Sequence, residues 1–454
     1  MIWFLAIALI LVTALALRAG LVAFAGYVLL GVYLLSRWLT ARWVHDLEVE
    51  RQCDSRPREI GDTAEVVLTL TNRGSLPVLW VLVEDLMPIE FLRPRSPRVS
   101  VKGKRLRVVS VGARGVKRLT YTVRFLMRGY YPLGPTVLET GDVFGLHRRH
   151  RVAGKPTFVL VYPRVVPLAR YDLASQRPVG EVRLQDRLFE DPTRTAGVRE
   201  YRVGDPLQRV HWKATARTGT LHCRVYEPTC LAGITLLLDF HADGYPDRGE
   251  PYRSELAVTT AASLAYAVSV MNQPVGLASN GRDAADRIRE EALRGSVPGA
   301  GVFLTRDTAR ESFELRDSSD RLRPVVIETR RELDQFRRVR EALARLELTD
   351  GLTFARLVAE TAPRLPRDAT VIAILPRVPV ESAVALGMLR RQGFAVIAVL
   401  IGLDETDRLV GQGRLLAEAV RDVRTVNSED ELVRLGGEAA APTAARYEID
   451  VPLI

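Results

Sequence analysis

Two scarcities limit what this sequence can be: it has little cysteine, and its first 35 residues carry a single charge. Three cysteines among 454 residues, Cys53, Cys223 and Cys230, argue against a disulfide framework and fit a reducing compartment. Long runs of like charge are also missing, because the 54 acidic residues are interspersed among the 64 basic ones. The net charge of +10 is therefore spread out, and we expect no nucleic-acid partner.

The N-terminal region consists of two apolar runs, residues 2–17 and 21–35, separated by Arg18 and two small residues. Each run is at the short end of the roughly 17 to 25 residues that a membrane-spanning helix needs. The pattern predicts a transmembrane helical hairpin over residues 1–43, with Arg18 at its tip. One long tilted span is the alternative. A cleaved signal peptide is disfavoured, because no basic segment precedes the first run.

The residues beside these runs predict an orientation. Arg37 and Arg42 follow the second run, whereas only Arg18 lies at the tip of the hairpin. Trp38 and Trp43 stand where aromatic residues of the membrane interface are expected. The positive-inside rule then puts the tip outside and the soluble domains in the cytoplasm. We expect a multi-pass anchor in the inner (plasma) membrane, with the membrane itself as a partner.

Residues 44–165 have the pattern of an antiparallel β domain. Segments such as Glu65–Thr71 and Leu119–Phe125 are rich in β-branched residues and are separated by Gly, Pro and Asn. Short strands at this spacing predict a β-sandwich. Two compact turns within it, Arg128–Pro135 and Gly141–Leu146, are interpreted as structural.

A dense signature lies in the linker predicted at residues 166–228. Asp205 is suited to cap a helix, Pro206 to occupy its first position, and Gly219 to end it after Arg217. The residues of this element that we predict to form a binding site are Arg199, Tyr201, Arg202, Gly204, Asp205, Arg209, Trp212, Lys213 and Arg217.

Two roles are open for the basic residues of the signature. They could form a surface for an anion or an acidic partner, as arginine does at carboxylates and phosphates. They could instead pair internally with acidic residues such as Glu190, Glu200 and Glu227. No nucleophile stands beside a base in this element, so no catalytic residue is predicted and we do not expect an enzyme.

Residues 229–430 alternate strands with helices. Gly233–Asp239 and Phe394–Gly402 are strongly apolar strand patterns, and Glu255–Met271 is an alanine-rich helical one. This alternation predicts an α/β domain with a parallel sheet and helices on both faces. In such sheets ligands bind at the carboxyl ends of the strands. Residues 431–454 contain a Gly/Ala/Pro-rich stretch and predict a flexible tail.

The signature resembles that of a bacterial membrane-protein family known as domain of unknown function 58. The order of the predicted parts agrees with this family over nearly the whole chain. The residues that carry the resemblance are Arg199, Tyr201, Gly204, Asp205, Arg209, Val210, Trp212, Ala216, Arg217, Gly219 and Leu221.

The resemblance implies more than the residue patterns do. It implies a multidomain protein with a transmembrane hairpin, a β-sandwich and a von Willebrand factor A-like α/β domain. Genes of family members commonly lie beside genes for MoxR-type AAA+ ATPases. A MoxR-type AAA+ ATPase is therefore the implied partner, in an adaptor or scaffold role in assembly at the cell envelope.

A von Willebrand factor A-like domain also implies a metal site of the form D-x-S-x-S. Asp239 matches its first position, but His241 and Asp243 replace the two serines. Asp239 and Asp243 could hold Mg²⁺ in an altered geometry, since carboxylate oxygens suit this ion. The alternative is a metal-free binding domain. Beyond this possible Mg²⁺, no cofactor is expected.

Two further hypotheses compete with the adaptor role. An enzyme acting on envelope precursors would have Asp205, His211 and Asp239 as its acid and base candidates, although they come from different elements. A binder of anionic lipid or nucleic acid would use the basic residues of the signature, and its binding would weaken with salt.

Overall fold

The chain is described here from a computed structural model. It covers residues 12–13, 20–92, 97–145, 147–168, 190–201, 210–228, 233–246, 248–293, 302–303, 322–366 and 369–434.

Helix α1, Gly20–Asp46, is 27 residues long. It is long and apolar enough to cross a membrane, a property that it shares with signal sequences. It contains the second predicted apolar run. Most of the first run, and Arg18 at the predicted tip, lie outside the described residues, so the hairpin stays a prediction.

One face of the second half of α1 packs against the domain that follows. The buried residues there recur at helical spacing: Tyr33, Ser36, Thr40, Trp43 and Val44. The outer face keeps its apolar side chains exposed; Leu34, Leu35 and Trp38 are each more than half exposed. The helix therefore stands beside the β domain along its second half and extends beyond that domain with its first half.

The C-terminal end of α1 is capped by an arginine from the β domain. Nη1 of Arg151 donates to the backbone oxygens of Val44 (3.2 Å), His45 (3.0 Å) and Leu47 (3.3 Å). A cation at this end satisfies carbonyl groups that have no partner within the helix and interacts favourably with the helix dipole. The first strand begins at Leu47, immediately after the last helical residue, Asp46.

Two antiparallel sheets form the β domain, in agreement with the predicted sandwich. One has the strand order β1-β2-β6-β4, and the other contains β9-β8-β3-β5; β7 pairs with β10. The strands are β1 Leu47–Cys53, β2 Thr63–Asn72, β3 Val78–Asp85, β4 Val99–Lys102, β5 Leu106–Val111, β6 Val116–Phe125, β7 Gly129–Leu133, β8 Thr136–Gly141, β9 Arg148–Ala153 and β10 Thr157–Val161.

The inner faces of the two sheets share one core. Alternate residues of β2, from Ala64 to Leu70, point inward, as the two-residue period of a strand requires. They meet Val81 and Val83 of β3 and Val123 of β6, all of them almost fully buried. This core also takes in Trp43 of α1, so the helix and the sandwich fold as one unit.

A buried polar cluster lies inside the sandwich. The guanidinium of Arg51 donates to both carboxylate oxygens of Asp85, and Oγ1 of Thr136 and the hydroxyl of Tyr121 also donate to that carboxylate. Burial raises the pKa of the Tyr121 hydroxyl, and the neighbouring Asp85 charge and hydrogen bond raise it further. Asp85 is fully buried, so its charge depends on these donors.

Gly134, between β7 and β8, leaves room for this cluster; the predicted Arg128–Pro135 turn is confined to Gly134 and Pro135, because Gly129–Leu133 forms strand β7. Its φ is +78°, and a Cβ there would overlap the Arg51 guanidinium. We expect Gly134→Ala to lower the free energy of unfolding by about 3 kcal/mol, since backbone strain adds to overpacking. Gly61 is the control: its φ is +98°, but a Cβ there would meet no other atom within 4 Å. Gly61→Ala should therefore lower the free energy of unfolding by only about 1–2 kcal/mol. Equal losses in thermal unfolding would contradict the overlap.

The C-terminal domain is built on a six-stranded sheet with the order β17-β14-β13-β19-β20-β21. The five strands from β14 to β21 in this order are parallel, and β17 runs antiparallel at the edge. The strands are β13 Ile234–Leu238, β14 Val275–Ser279, β17 Val325–Arg330, β19 Thr370–Leu375, β20 Ala395–Ile401 and β21 Asp422–Val426. The remaining short strands are β15 Arg282–Asp283, β16 Val302–Phe303 and β18 Leu346–Glu347.

Helices cover both faces of this sheet. Leu236 and Leu238 of β13 face one core, and Leu237 faces the other, so the strand is buried on both sides. The helices of the domain are α3 Tyr252–Val270, α4 Ala284–Leu293, α5 Gln335–Arg345, α6 Phe354–Thr361, α7 Val380–Arg391, α8 Glu405–Ala417 and α9 Glu429–Arg434. The predicted parallel sheet with helices on both faces is therefore present.

Two segments at the margins of this domain pack elsewhere than their place in the sequence suggests. Val302 and Phe303 of β16 pair with Arg151 and His150 of β9 and extend the sandwich. The tail was predicted to begin at residue 431, but Leu432 of α9 is fully buried in the core. Residues 435–454, where the rest of the predicted tail falls, lie outside the described residues.

Candidate interaction site

The described part of the signature is a small β structure around Cys223. Strands β11, Glu190–Glu200, and β12, His222–Pro228, pair antiparallel, with Arg199 opposite Cys223. Val210 forms a β-bridge with Cys223, and both are buried. The backbone N–H of Tyr201 donates to Leu221 (2.8 Å) and closes the pairing.

The signature helix α2, Trp212–Thr218, is shorter than predicted. It was predicted to run from Pro206 to Arg217, but Val210 forms a β-bridge with Cys223 and the described helix begins at Trp212. His211 caps it instead, because its Nδ1 accepts a hydrogen bond from the backbone N–H of Ala214 (3.0 Å). The predicted stop is confirmed: Gly219 is the left-handed C-cap, with φ 76°.

Helix α2 presents its side chains to solvent. None of its residues is buried, and Trp212 is 70% exposed. Lys213 and Arg217 are also exposed and, four residues apart, share a helix face. Of the nine predicted site residues, the structure describes Arg199, Tyr201 and these three; Arg202, Gly204, Asp205 and Arg209 lie outside the described residues.

A second polar group lies at the carboxyl edge of the parallel sheet, around Asp239. Its Oδ1 accepts hydrogen bonds from Nδ2 of Asn280 (2.9 Å) and from the backbone N–H of His241 (3.2 Å). Burial raises the pKa of the Asp239 carboxyl, and these two hydrogen bonds oppose that rise. Asp239 is 3% exposed, so its carboxylate is shielded from solvent and holds the surrounding loops through these hydrogen bonds.

Asn280 holds these loops together and was missed by the sequence reasoning. It follows β14 directly, at the same sheet edge as Asp239. Its Oδ1 accepts from the backbone N–H of Phe240 (2.6 Å), and its Nδ2 also donates to the backbone oxygen of Leu352 (2.9 Å). The available signal was its position, one residue after a buried strand that neighbours β13.

Asp243, the other predicted metal ligand, is paired with an arginine. Nη2 of Arg377 lies 3.1 Å from its Oδ2, and the side chains are 45% and 61% exposed. Arg377 lies two residues after the end of β19. In the part of the chain that is described, no group of three or more His, Cys, Asp or Glu could hold a metal. A cation at this edge would have to compete with Arg377 for Asp243.

Arg128 joins the sandwich to the α/β domain. Nη1 donates to the backbone oxygens of Leu343 (2.8 Å) and Leu346 (2.9 Å) at the C-terminal end of α5. Nε lies 3.3 Å from Oε1 of Glu255, and the guanidinium carbon lies 5.5 Å from the centre of the Phe240 ring. The side chain of Arg128 is only 6% exposed, and its contacts hold the sandwich against the α/β domain.

A second arginine, from the α/β domain, makes the reciprocal contact. Nη2 of Arg340 in α5 lies 2.6 Å from Oε2 of Glu59 and donates to the backbone oxygen of Pro163 (3.2 Å). Its guanidinium carbon lies 4.5 Å from the centre of the Tyr162 ring, which is within cation–π range. The two domains are thus fixed to each other on both sides of α5.

A cleft of about 350 Å³ opens where the domains meet. Five arginines and four glutamates from both domains line it, so its charge is nearly balanced. Burial alone would raise the pKa of Glu347 in this cleft, but hydrogen bonds and charge from Arg287 and Arg282 lower it. The charged groups of the cleft therefore satisfy one another to a large extent.

Comparison with known proteins supports the family resemblance. Residues 197–295 match the sequence profile of the family described as "Protein of unknown function DUF58". The uncharacterized protein YeaD of Bacillus subtilis is 26% identical over 264 residues, which is 57% of this chain and 62% of that protein. The matched segment therefore spans less than two thirds of that relative's own length. The family resemblance drawn from the signature is confirmed.

Solved structures give only weak similarity. The CARDB domain of a Pyrococcus furiosus protein is 19% identical and covers 26% of this chain and 92% of that chain, with a TM-score of 0.17. A PapD-like domain of human CEP192 is 16% identical and covers 25% of this chain and 83% of that chain, with a TM-score of 0.18. Scores this low support no conclusion about fold or function.

Proposed function

We propose that this protein is a membrane-anchored, non-catalytic adaptor that binds an acidic surface of a MoxR-type AAA+ ATPase through helix α2. The observation that carries this proposal is Trp212, a large aromatic side chain left 70% exposed on a helix without buried residues. Tryptophan and arginine are the residues most often found at the energetic centres of protein interfaces. Here Lys213 and Arg217 stand beside the tryptophan and would select an acidic partner.

The short length of α2 favours an interaction role over a structural one. A helix in a protein core is stabilised by the burial of an apolar stripe, whereas none of the seven residues of α2 is buried. Gly219 and His211 fix both of its ends, so the helix is held at the surface by its caps. Of the two roles open for the basic residues, we propose the interaction surface, because Lys213 and Arg217 are both exposed.

The rest of the proposed architecture follows the family resemblance. We propose that the α/β domain is von Willebrand factor A-like, which its strand order and antiparallel edge strand support. We propose that α1 belongs to a multi-pass anchor in the inner membrane and that the domains after it are cytoplasmic. Arg37 and Arg42 at the end of the apolar run support this orientation.

The test is recovery of the partner from native membranes. We expect the full-length chain, as bait, to recover an AAA+ ATPase, and Trp212→Ala to weaken that binding by about 30-fold, as for an interface hot spot. Tyr252→Ala is the matched control, because Tyr252 is an aromatic residue 56% exposed on the α/β domain. Equal recovery with both variants would contradict the role of α2. If no ATPase is recovered although the bait is intact, the proposed partner is wrong.

We also propose that the carboxyl edge works without a metal. Asp239 is occupied by Asn280 and His241, and Asp243 by Arg377. Asp239→Asn should therefore leave the stability of the full chain nearly unchanged. Mg²⁺ in millimolar excess should raise the melting temperature of neither the native chain nor the variant. A ligand at 100 times its Kd would stabilise the folded state by about 2.7 kcal/mol. A rise in melting temperature seen only in the native chain would therefore support a metal site and contradict this proposal.

The enzyme hypothesis has less support. His211 uses Nδ1 to cap α2, and Asp239 is buried and engaged by two donors. The third candidate, Asp205, lies outside the described residues. Neither described residue is poised as an accessible acid or base.

A further inference from the structure

A second apolar feature lies beside α1, on the turn between β8 and β9. Val143 is 69% exposed and Phe144 is 70% exposed, although Gly141 and Asp142, which directly precede them, are buried. Burial of large apolar side chains stabilises a protein, so an exposed adjacent pair held beside an apolar helix is suited to contact an apolar environment.

The turn holds these two side chains outward in a fixed shape. The carboxylate of Asp142, itself 4% exposed, accepts hydrogen bonds from the backbone N–H groups of Phe144 (3.2 Å) and His147 (2.7 Å). Gly145 has φ +72°, the left-handed conformation that glycine adopts without strain. The outward apolar pair is therefore built into the turn.

The turn is attached to α1 at a defined height. The ring of His147 packs edge to face on the ring of Tyr33, with 4.7 Å between ring centres. Tyr33 lies in the uncharged part of the helix, and Arg37 and Trp38, both exposed, follow one turn later. At 1.5 Å per residue, the contact lies about 6 Å on the apolar side of Arg37. An arginine and a tryptophan at the end of an apolar helix mark a membrane interface.

We infer that Val143 and Phe144 insert into the headgroup–acyl boundary of the bilayer beside α1. The sandwich would then touch the membrane at two points, the helix and this turn. Insertion of a small apolar group by about 5–10 Å is the depth at which peripheral apolar faces bind lipid. This inference rests on the proposed membrane anchor, since it takes the plane of the bilayer from α1.

Photo-crosslinking in vesicles tests it directly. The full-length chain, with p-benzoylphenylalanine in place of Phe144, is reconstituted into vesicles of phosphatidylethanolamine and phosphatidylglycerol and irradiated. We expect phospholipid adducts at this position, identified by mass, in a yield at least about tenfold above that of the same probe at Tyr252. Tyr252 is the control because it is 56% exposed on the α/β domain.

The outcomes separate this inference from the anchor itself. If the chain floats with the vesicles but position 144 gives no more lipid adduct than position 252, the inserted turn is wrong and the anchor stands. Adducts from position 144 to peptides of this chain or of another protein would also overturn it. If the chain does not float, the anchor fails. The same probe at Val143, an independent position of equal exposure, guards against a local disturbance at Phe144.

Discussion

Asp85→Asn is expected to destabilise the sandwich by about 3–5 kcal/mol, because it leaves the Arg51 guanidinium buried without its counter-charge. The side chains of Arg51 and Asp85 are 3% and 0% exposed, so water cannot replace the lost carboxylate. Asparagine keeps the size of the residue, but Tyr121 and Thr136 donate to different oxygens of Asp85, so its single oxygen keeps one of these hydrogen bonds and the loss includes the other. Thermal unfolding of the full chain in detergent, followed by tryptophan fluorescence from the sandwich, measures the loss.

Two further variants decide how this loss is read. Asp54→Asn removes surface ion pairs with Arg56 and Arg58 from a carboxylate that is 49% exposed, and should cost less than about 1 kcal/mol. Adding Arg51→Met to Asp85→Asn should recover part of the stability, since the buried charge is then gone as well. A double variant no more stable than Asp85→Asn alone would contradict the unpaired-charge explanation.

Arg128→Met should uncouple the two domains and cost about 3 kcal/mol, since hydrogen bonds to charged groups contribute about 1.5–3 kcal/mol when a buried partner is lost. The variant leaves the backbone oxygens of Leu343 and Leu346 at the end of α5 without their donor. We expect faster amide hydrogen exchange in α5 and earlier unfolding of one domain relative to the other. Arg128→Lys should lose most of the same stability, because an ammonium group cannot span both carbonyls and Glu255.

The control for this prediction lies on the same helix. Arg338 of α5 pairs with Glu332, and both side chains are more than a third exposed. Arg338→Met should therefore leave hydrogen exchange in α5 within a few tenths of a kcal/mol of the native value. If Arg128→Met behaves like Arg338→Met, the contacts of Arg128 do not hold the domains together.

The central strands of the α/β sheet could be predicted because burial on both faces leaves an unmistakable pattern. Ile234–Leu238 and Ala395–Ile401 are almost entirely apolar, and both were expected within one residue. The edge strands were not predicted, because they are only partly buried and lack this apolar pattern. Val325–Arg330 and Asp422–Val426 alternate partly buried polar residues with apolar ones and resemble loops when read alone.

The site was harder to predict because its residues act across long separations. The helix stop at Gly219 was predicted correctly, because it depends on local sequence. The start of α2 was wrong because a β-bridge between Val210 and Cys223 overrides a good capping sequence. The role of Arg128 depends on carbonyl groups 215 and 218 residues away, which no local pattern encodes.

The junction of α1 with the sandwich has a mechanical consequence. No linker separates Asp46 from Leu47, and Arg151 ties the last carbonyls of the helix to β9. The same strand β9 pairs with β16, which belongs to the sequence of the α/β domain. A pull or twist applied to the α/β domain would reach α1 through hydrogen-bonded contacts, first from α5 to Arg128 of the sandwich and then from β9 through Arg151 to the helix. A force on that domain would therefore tilt or rotate the helix.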